Sequence, residues 1–351
     1  MNNHTKRRGI ALTVFLVGVN ILAWIWAFCV FHHHAVMLSA AILAYSFGLR
    51  HAVDADHIAA IDTVTRKLMQ QGKTPLGVGA FFSLGHSTIV VLACLAIVVT
   101  SMAFRDRIDV LHVLHQYGSL IVDVLHQYGS LIGTAVSAFF LLAMALLNLF
   151  ILFNVWRQFR SVTRGESVRA HDEAIPGGLM TRIFQRTFRL VTSSWHMYFV
   201  GFLFGLGFDT ATEVGLLGIS ASAANQGLSL WSMMIFPVLF TAGMALVDSL
   251  DNFVMVGAYG WAFSHPLRKL YYNMTITAAS VIVALAIGGL EALGLIDDAL
   301  QLSGTFWQTV STLNDHMGNV GFWVVGAFVL FWLLSLLNYR WRGYDKITLN
   351  T

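Results

Sequence analysis

Cysteine is nearly absent. Cys29 and Cys94 are the only two in 351 residues. Neither has a CxxC partner, so neither a disulfide framework nor a thiolate metal site is suggested, and both read as packing residues in apolar stretches. Charge is scarce too. Asp, Glu, Lys and Arg make up 11% of the chain against 57% hydrophobic residues, a mixture with which a water-soluble chain of this length could not cover its own surface. A nucleotide-driven motor is missing as well: the lone GKT at 72–74 has Lys67 where a phosphate-binding loop needs its first glycine, and it follows no strand. The net charge of +3 needs no nucleic-acid partner, because the cations fall where membrane topology would put them.

What the sequence has instead is a series of apolar windows of roughly 20 residues, the length that crosses a hydrocarbon core of about 30 Å. They recur near 10–31, 36–62, 76–101, 131–154, 195–220, 231–257, 271–293 and 320–338. This predicts an all-α polytopic membrane protein with about eight transmembrane helices, built as one integral membrane domain over 1–351. The first window is too long for a removable signal peptide and lacks its small-residue cleavage site, so it counts as a span. Lys and Arg are retained on the cytoplasmic side during insertion. With the N-terminus inside, 18 of the 21 cations fall in inner segments, among them Arg66, Lys67, Lys73 and seven arginines between 157 and 189. Both termini are therefore expected in the cytoplasm, with 155–192 a basic cytoplasmic loop against anionic lipid. Between the third and fourth windows VLHQYGSLI occurs at 113–121 and again at 124–132, a tandem duplication that lengthens a short outer helix. Its His112, His115 and His126, like His32, His33 and His34 at the outer end of the first span, are weak candidates for gathering cations.

The acids turn this pattern into chemistry. Asp54, Asp56, Asp62, Asp209, Glu213, Asp248 and Asp251 fall inside windows that hold a single cation, Arg50. Each ionised side chain near a bilayer centre costs at least roughly 2.5–3.5 kcal/mol, and one arginine cannot offset seven acids. A visiting cation could. In HAVDADH at 51–57, His51, Asp54 and His57 share an arc of roughly 120° at about 100° per residue, while Asp56 points elsewhere. All four converge only if the helix is locally unwound or its far side meets another helix. SLGHS adds His86 with Ser83 and Ser87, GFDTATE places Asp209 and Glu213 four apart on one face, and GMALVDSLDN holds Asp248 and Asp251 three apart. Imidazole and carboxylate without thiolate suit Ni²⁺, Co²⁺, Zn²⁺, Mn²⁺ or Fe²⁺. Taken singly, His86 or His196 reads as a histidine hydrogen-bonded within the bundle. Four polar groups in seven residues exceed what packing requires.

RHAVDADHI at 50–58 resembles the signature of the nickel/cobalt transporter family, and LGHSTIVV at 84–91, LGFDTATE at 206–213 and GMALVDSLDN at 243–252 are similar to that family's further motifs, in the expected order. Among its members the likeness is nearest to bacterial high-affinity nickel permeases that supply hydrogenase and urease maturation. The resemblance implies secondary uptake of nickel, with cobalt a second candidate, across the bacterial inner membrane. The ion is then transported substrate and not a cofactor, and the partners are the lipid bilayer and cytoplasmic metal acceptor proteins. Metal ligands are expected among His51, Asp54, Asp56, His57, His86, Asp209, Glu213, Asp248 and Asp251. Ser249 and Asn252 depart from the Thr and Gly often found in the fourth motif, which bears on selectivity. The expected route is capture by the second span with His86, then handover along Asp209, Glu213, Asp248 and Asp251, or Asp62. The membrane potential suffices to drive it, since a dication gains about 4.6 kcal/mol per 100 mV. The rival reading is an integral membrane His/Asp enzyme. The His51 to Asp56 spacing also matches the acid-base pattern of glycerolipid acyltransferases, and a metallohydrolase would use the same residues for catalytic zinc. Neither gives the acids of the fifth and sixth spans a role.

Overall fold

A computed structural model of the chain describes residues 3–104, 131–160 except 147, 151, 154, 158 and 159, 191–206, 211–225, 228–262 and 266–341. Among the described residues the regular elements are helices, as the all-α reading expects: α1 (Asn3–Phe31), α2 (Ala35–His51), α3 (Ala55–Gln70), α4 (Val78–Phe104), α5 (Leu131–Arg157), α6 (Met197–Phe204), α7 (Ala211–Asn225), α8 (Ile235–Ala262), α9 (Pro266–Leu300), α10 (Thr305–Asp315) and α11 (Met317–Trp341). Five stretches are long and apolar enough to cross a membrane: Thr5–Phe31, Val78–Val99, Leu131–Arg157, Leu230–Ala258 and Thr277–Leu300. The pairs α2–α3 and α10–α11, bent by 51° and 88°, bring the number to seven if each pair is one span. The window expected at 195–220 holds two short helices, α6 and α7, on either side of residues outside the description, and five to seven spans is the count among the described residues. The outer repeat with His112, His115 and His126, and most of the basic loop 155–192, lie outside them.

Two apolar clusters hold the bundle. The first joins α1, α2, α7 and α8 through Ala27, Ala41, Leu216 and Phe240, with Phe31 stacked on Phe236 at 5.4 Å. The second joins α3, α4, α5, α9 and α11 through Ile61, Val64, Phe82, Leu141, Ile287 and Val324. Large apolar side chains such as Phe15, Phe139 and Trp323 remain exposed, as suits a surface solvated by lipid. In that solvent helices gain by close backbone approach, which small residues permit. Between α4 and α6 the approach is tight: a Cβ on Gly85 would lie 1.9 Å from the Tyr198 carbonyl oxygen, and one on Gly201 would lie 2.0 Å from that of Phe82.

The polar helix of the bundle is α3, and it runs through the interior, packed against α8, α9 and α11. Its buried residues include His57, Asp62, Thr65, Arg66 and Lys67. Arg66 and Lys67, expected in an inner segment, are 1% and 2% exposed. Hydropathy ends the apolar window at 62, but the helix continues to Gln70 inside a sleeve of other helices, and an average over neighbouring residues carries no information about such a sleeve. Ser280 of α9 donates to Asp62 at 2.5 Å, and Asn252 of α8 donates to Thr65 at 2.7 Å. Glu291 of α9 is a further buried acid that the count of span carboxylates omits; Ser137 of α5 donates to it at 3.1 Å.

Candidate metal centre

The HAVDADH segment is where the second span breaks. α2 stops at His51 and α3 starts at Ala55, with Asp54 in extended conformation at the N-cap (φ −64°, ψ 146°). Aspartate is a favoured N-cap because its carboxylate accepts from the first free amides of a helix. Here it makes no such bond. Its Oδ2 faces Nδ1 of His51 at 2.9 Å instead. The acid that complements the positive end of α3 is Asp56 in the first turn. Breaking the helix also points the negative end of α2 at the centre of the bundle, a placement that favours a cation.

The break lets His51 and His57 face a common point, and His86 of α4 joins them. The three histidines are buried, and one nitrogen from each lies within 4.8 Å of the others. Nε2 of His51 and Nε2 of His86 are 2.9 Å apart. Glu213, in the first turn of α7 and fully buried, places Oε1 2.9 Å from His86 Nε2 and 3.8 Å from His51 Nε2. Beside the third ring, Oδ2 of Asp248 on α8 lies 3.5 Å from Nδ1 of His57 and accepts a 2.6 Å hydrogen bond from Ser83 of α4. Thr212 Oγ1 lies 3.3 Å from His51 Nδ1. Phe82 stands edge-on to His57 with centroids 4.8 Å apart, and Phe240 lies 5.6 Å from the His51 ring. Nε2 of His57, Nδ1 of His86 and Oδ1 of Asp248 make no hydrogen bond, and Nδ1 of His57 has only the 3.5 Å approach of Asp248. Buried polar atoms are nearly always satisfied, so orphans gathered in one place mark something the polypeptide alone does not complete.

Of the nine expected site residues, six therefore meet in one place: His51, Asp54, His57, His86, Glu213 and Asp248. Glu213 and Asp248, which the expected handover order placed after the second span, lie beside the histidines themselves. Asp56 is only half-buried and makes no contact with the group among those given above, although it lies within electrostatic reach of His51 and His57. Asp251 lies beyond the group, within electrostatic reach of Asp62 and Asp248. Asp209 is outside the described residues. Ser83 and Thr212 are the partners that spacing alone did not assign. His196 has a local role, its Nδ1 accepting from the amides of Thr192 and Ser193 at 3.2 and 3.1 Å at the turn before α6. Just after the end of α3, the Lys73 ammonium donates to the Thr192 carbonyl and ties the start of that turn to the α3–α4 loop.

Sequence comparison supplies an independent line. Residues 37–338 match the NicO family, described as a high-affinity nickel-transport protein. A protein of Cupriavidus necator named high-affinity nickel transport protein is 50% identical over 350 residues, covering 98% of this chain and 96% of the relative. The hydrogenase nickel incorporation protein HupN of Bradyrhizobium diazoefficiens is 51% identical over 331 residues, covering 93% and 82%. The cobalt transport protein NhlF of Rhodococcus rhodochrous is 37% identical over 305 residues, covering 86% and 82%. No solved structure matches the chain.

Proposed function

Since the chain belongs to the NicO family of high-affinity nickel-transport proteins, a family of transporters and not of enzymes, we propose that it carries Ni²⁺ inward across the bacterial inner membrane through the histidine cluster at the broken second span. The observation that carries this reading is the convergence of one buried nitrogen each from His51, His57 and His86. Nε2 of the three rings and Oε1 of Glu213 hold the ion. Asp54 on Nδ1 of His51 and Asp248 on Nδ1 of His57 act behind the rings, fixing which nitrogen is free and raising its basicity, as carboxylates behind metal-bound histidines do. Asp56 stands at the approach from outside. Asp62 and Asp251 receive the ion on its way along α3, and Asp209 serves the same chain of carboxylates.

Three neutral imidazoles and one carboxylate form a borderline donor set that replaces the water an incoming Ni²⁺ loses. A secondary mechanism follows from the charge of the cargo, because the membrane potential alone favours inward movement of a dication by about 4.6 kcal/mol per 100 mV. Helices rocking about the break would open the buried site to each side in turn. Co²⁺ accepts the same donors, and the cobalt-transporting relative makes it the second cargo. Once released, the ion passes to cytoplasmic metal acceptor proteins, a destination consistent with the hydrogenase link in the HupN name. The test is ⁶³Ni accumulation in energised cells. His57→Ala should abolish high-affinity uptake while the protein still reaches the membrane, and unchanged uptake would refute the ligand assignment.

A further inference from the structure

The last helix, α11, carries none of the four motifs, yet it touches the break that shapes the metal centre. A Cβ built on Gly321 would lie 1.6 Å from the Val53 carbonyl oxygen and 2.8 Å from the Val53 carbonyl carbon, against the roughly 3.5 Å at which non-bonded heavy atoms rest. Glycine here seats α11 directly on the backbone between His51 and His57. The neighbouring Val320 packs into the same apolar cluster as Val53. Five residues further along, Gly326 has nothing within 4 Å of its would-be Cβ, so α11 does not need glycine for its own sake.

We propose that Gly321 is a positioning residue for the transported metal: by seating α11 on the Val53 carbonyl it fixes the bend between α2 and α3, and with it the separation of His51 from His57. The inference rests on the histidine-cluster reading above. The segment after Val53 acts as a lever. His57 lies four residues past Val53, about 6 Å along the helix, and its ring extends the arm to roughly 10 Å, so a 10° change of bend moves the ring nitrogen by between about 1 and 2 Å. Metal sites tolerate ligand displacements of only about 0.2 Å. Binding is therefore sensitive to the bend, and α11 is braced against it at Val53.

The experiment measures ⁶³Ni uptake over graded nickel concentrations in cells producing Gly321→Ala, Val320→Ala, Gly326→Ala and His57→Ala proteins, with the amount of each in the membrane determined alongside. Gly321→Ala should raise KM about tenfold or more, in the range typical for losing support of a metal ligand, while uptake at saturating nickel per molecule falls much less. Gly326→Ala should leave KM within twofold. A purely structural role would lower abundance or maximal rate and leave KM unmoved. Should Gly321→Ala fail to reach the membrane, Val320→Ala trims the packing of α11 on the cluster that Val53 also joins, adds no clash, and should raise KM about threefold or more at normal abundance. An unchanged KM in Gly321→Ala, or in Val320→Ala where that variant decides, overturns the proposal. His57→Ala reports on the premise: full uptake there removes the histidine-cluster reading, whereas its loss alongside an unaltered Gly321→Ala removes the α11 seat alone.

Discussion

Replacing Glu213 with glutamine separates two roles that its geometry allows. The carboxylate lies 2.9 Å from His86 Nε2 and 3.8 Å from His51 Nε2, fully buried. If it only accepts a hydrogen bond from His86, glutamine keeps an oxygen of the same reach and little changes. If it binds the ion, a full charge is lost beside a dication. Two unit charges 4 Å apart at an effective dielectric constant of 20 attract by about 4 kcal/mol, and the double charge of nickel brings this to about 8 kcal/mol. The amide oxygen remains a weaker ligand and glutamine is spared the cost of burying a charge, so only part of that is forfeited. A net loss of about 2.7 kcal/mol, or 100-fold in apparent affinity, is the expected scale. The assay is ⁶³Ni uptake against nickel concentration in cells with matched membrane levels of the two proteins. A KM within threefold of the parent would refute the reasoning and leave Glu213 as a hydrogen-bond partner of His86.

Ser83→Ala removes the donor to Asp248 and should raise KM for nickel about tenfold without changing abundance; an unaltered KM would show that Asp248 does not need that bond to orient His57. Gly201→Val forces a side chain against the Phe82 carbonyl and should destabilise the α4–α6 contact by about 1–3 kcal/mol, lowering the thermal stability of detergent-purified protein, whereas Gly218→Val, where nothing lies within 4 Å, should not; equal stability of the two would contradict the tight-contact account. Imidazole binds metal only when unprotonated, so at fixed membrane potential and free Ni²⁺ uptake should decline severalfold from about pH 7 to about pH 5. A flat or rising profile would count against histidine ligation.

Much of the site was legible in the sequence because charge inside an apolar window has few innocent explanations. HAVDADH, SLGHS, GFDTATE and GMALVDSLDN each announced a polar group at membrane depth, and the structure gathers residues from all four segments that it describes at one point. The 100° periodicity also showed that an unbroken helix could not converge its second-span groups, and a 51° bend occurs there. The division of labour was not legible. Spacing treats Asp54, Asp248 and Glu213 alike, although two sit behind ring nitrogens and one faces two of them. That distinction depends on which atom points where, which is settled by helix packing between segments up to about 200 residues apart. Window averages also gave no sign that Arg66 and Lys67 are buried, since a polar helix sheathed by apolar neighbours has the composition of a loop. The contact of Gly321 with Val53 left no trace in any motif, because a glycine has meaning only once its neighbour is known.

X-ray absorption at the nickel edge of purified protein loaded with one equivalent of Ni²⁺ bears most directly on the ion being held by His51, His57 and His86. A first shell of nitrogen and oxygen near 2 Å, with outer-shell scattering from about three imidazoles that diminishes by one ring in His86→Ala, is the expected result. A shell of oxygens without imidazole scattering, unchanged in His86→Ala, would contradict it.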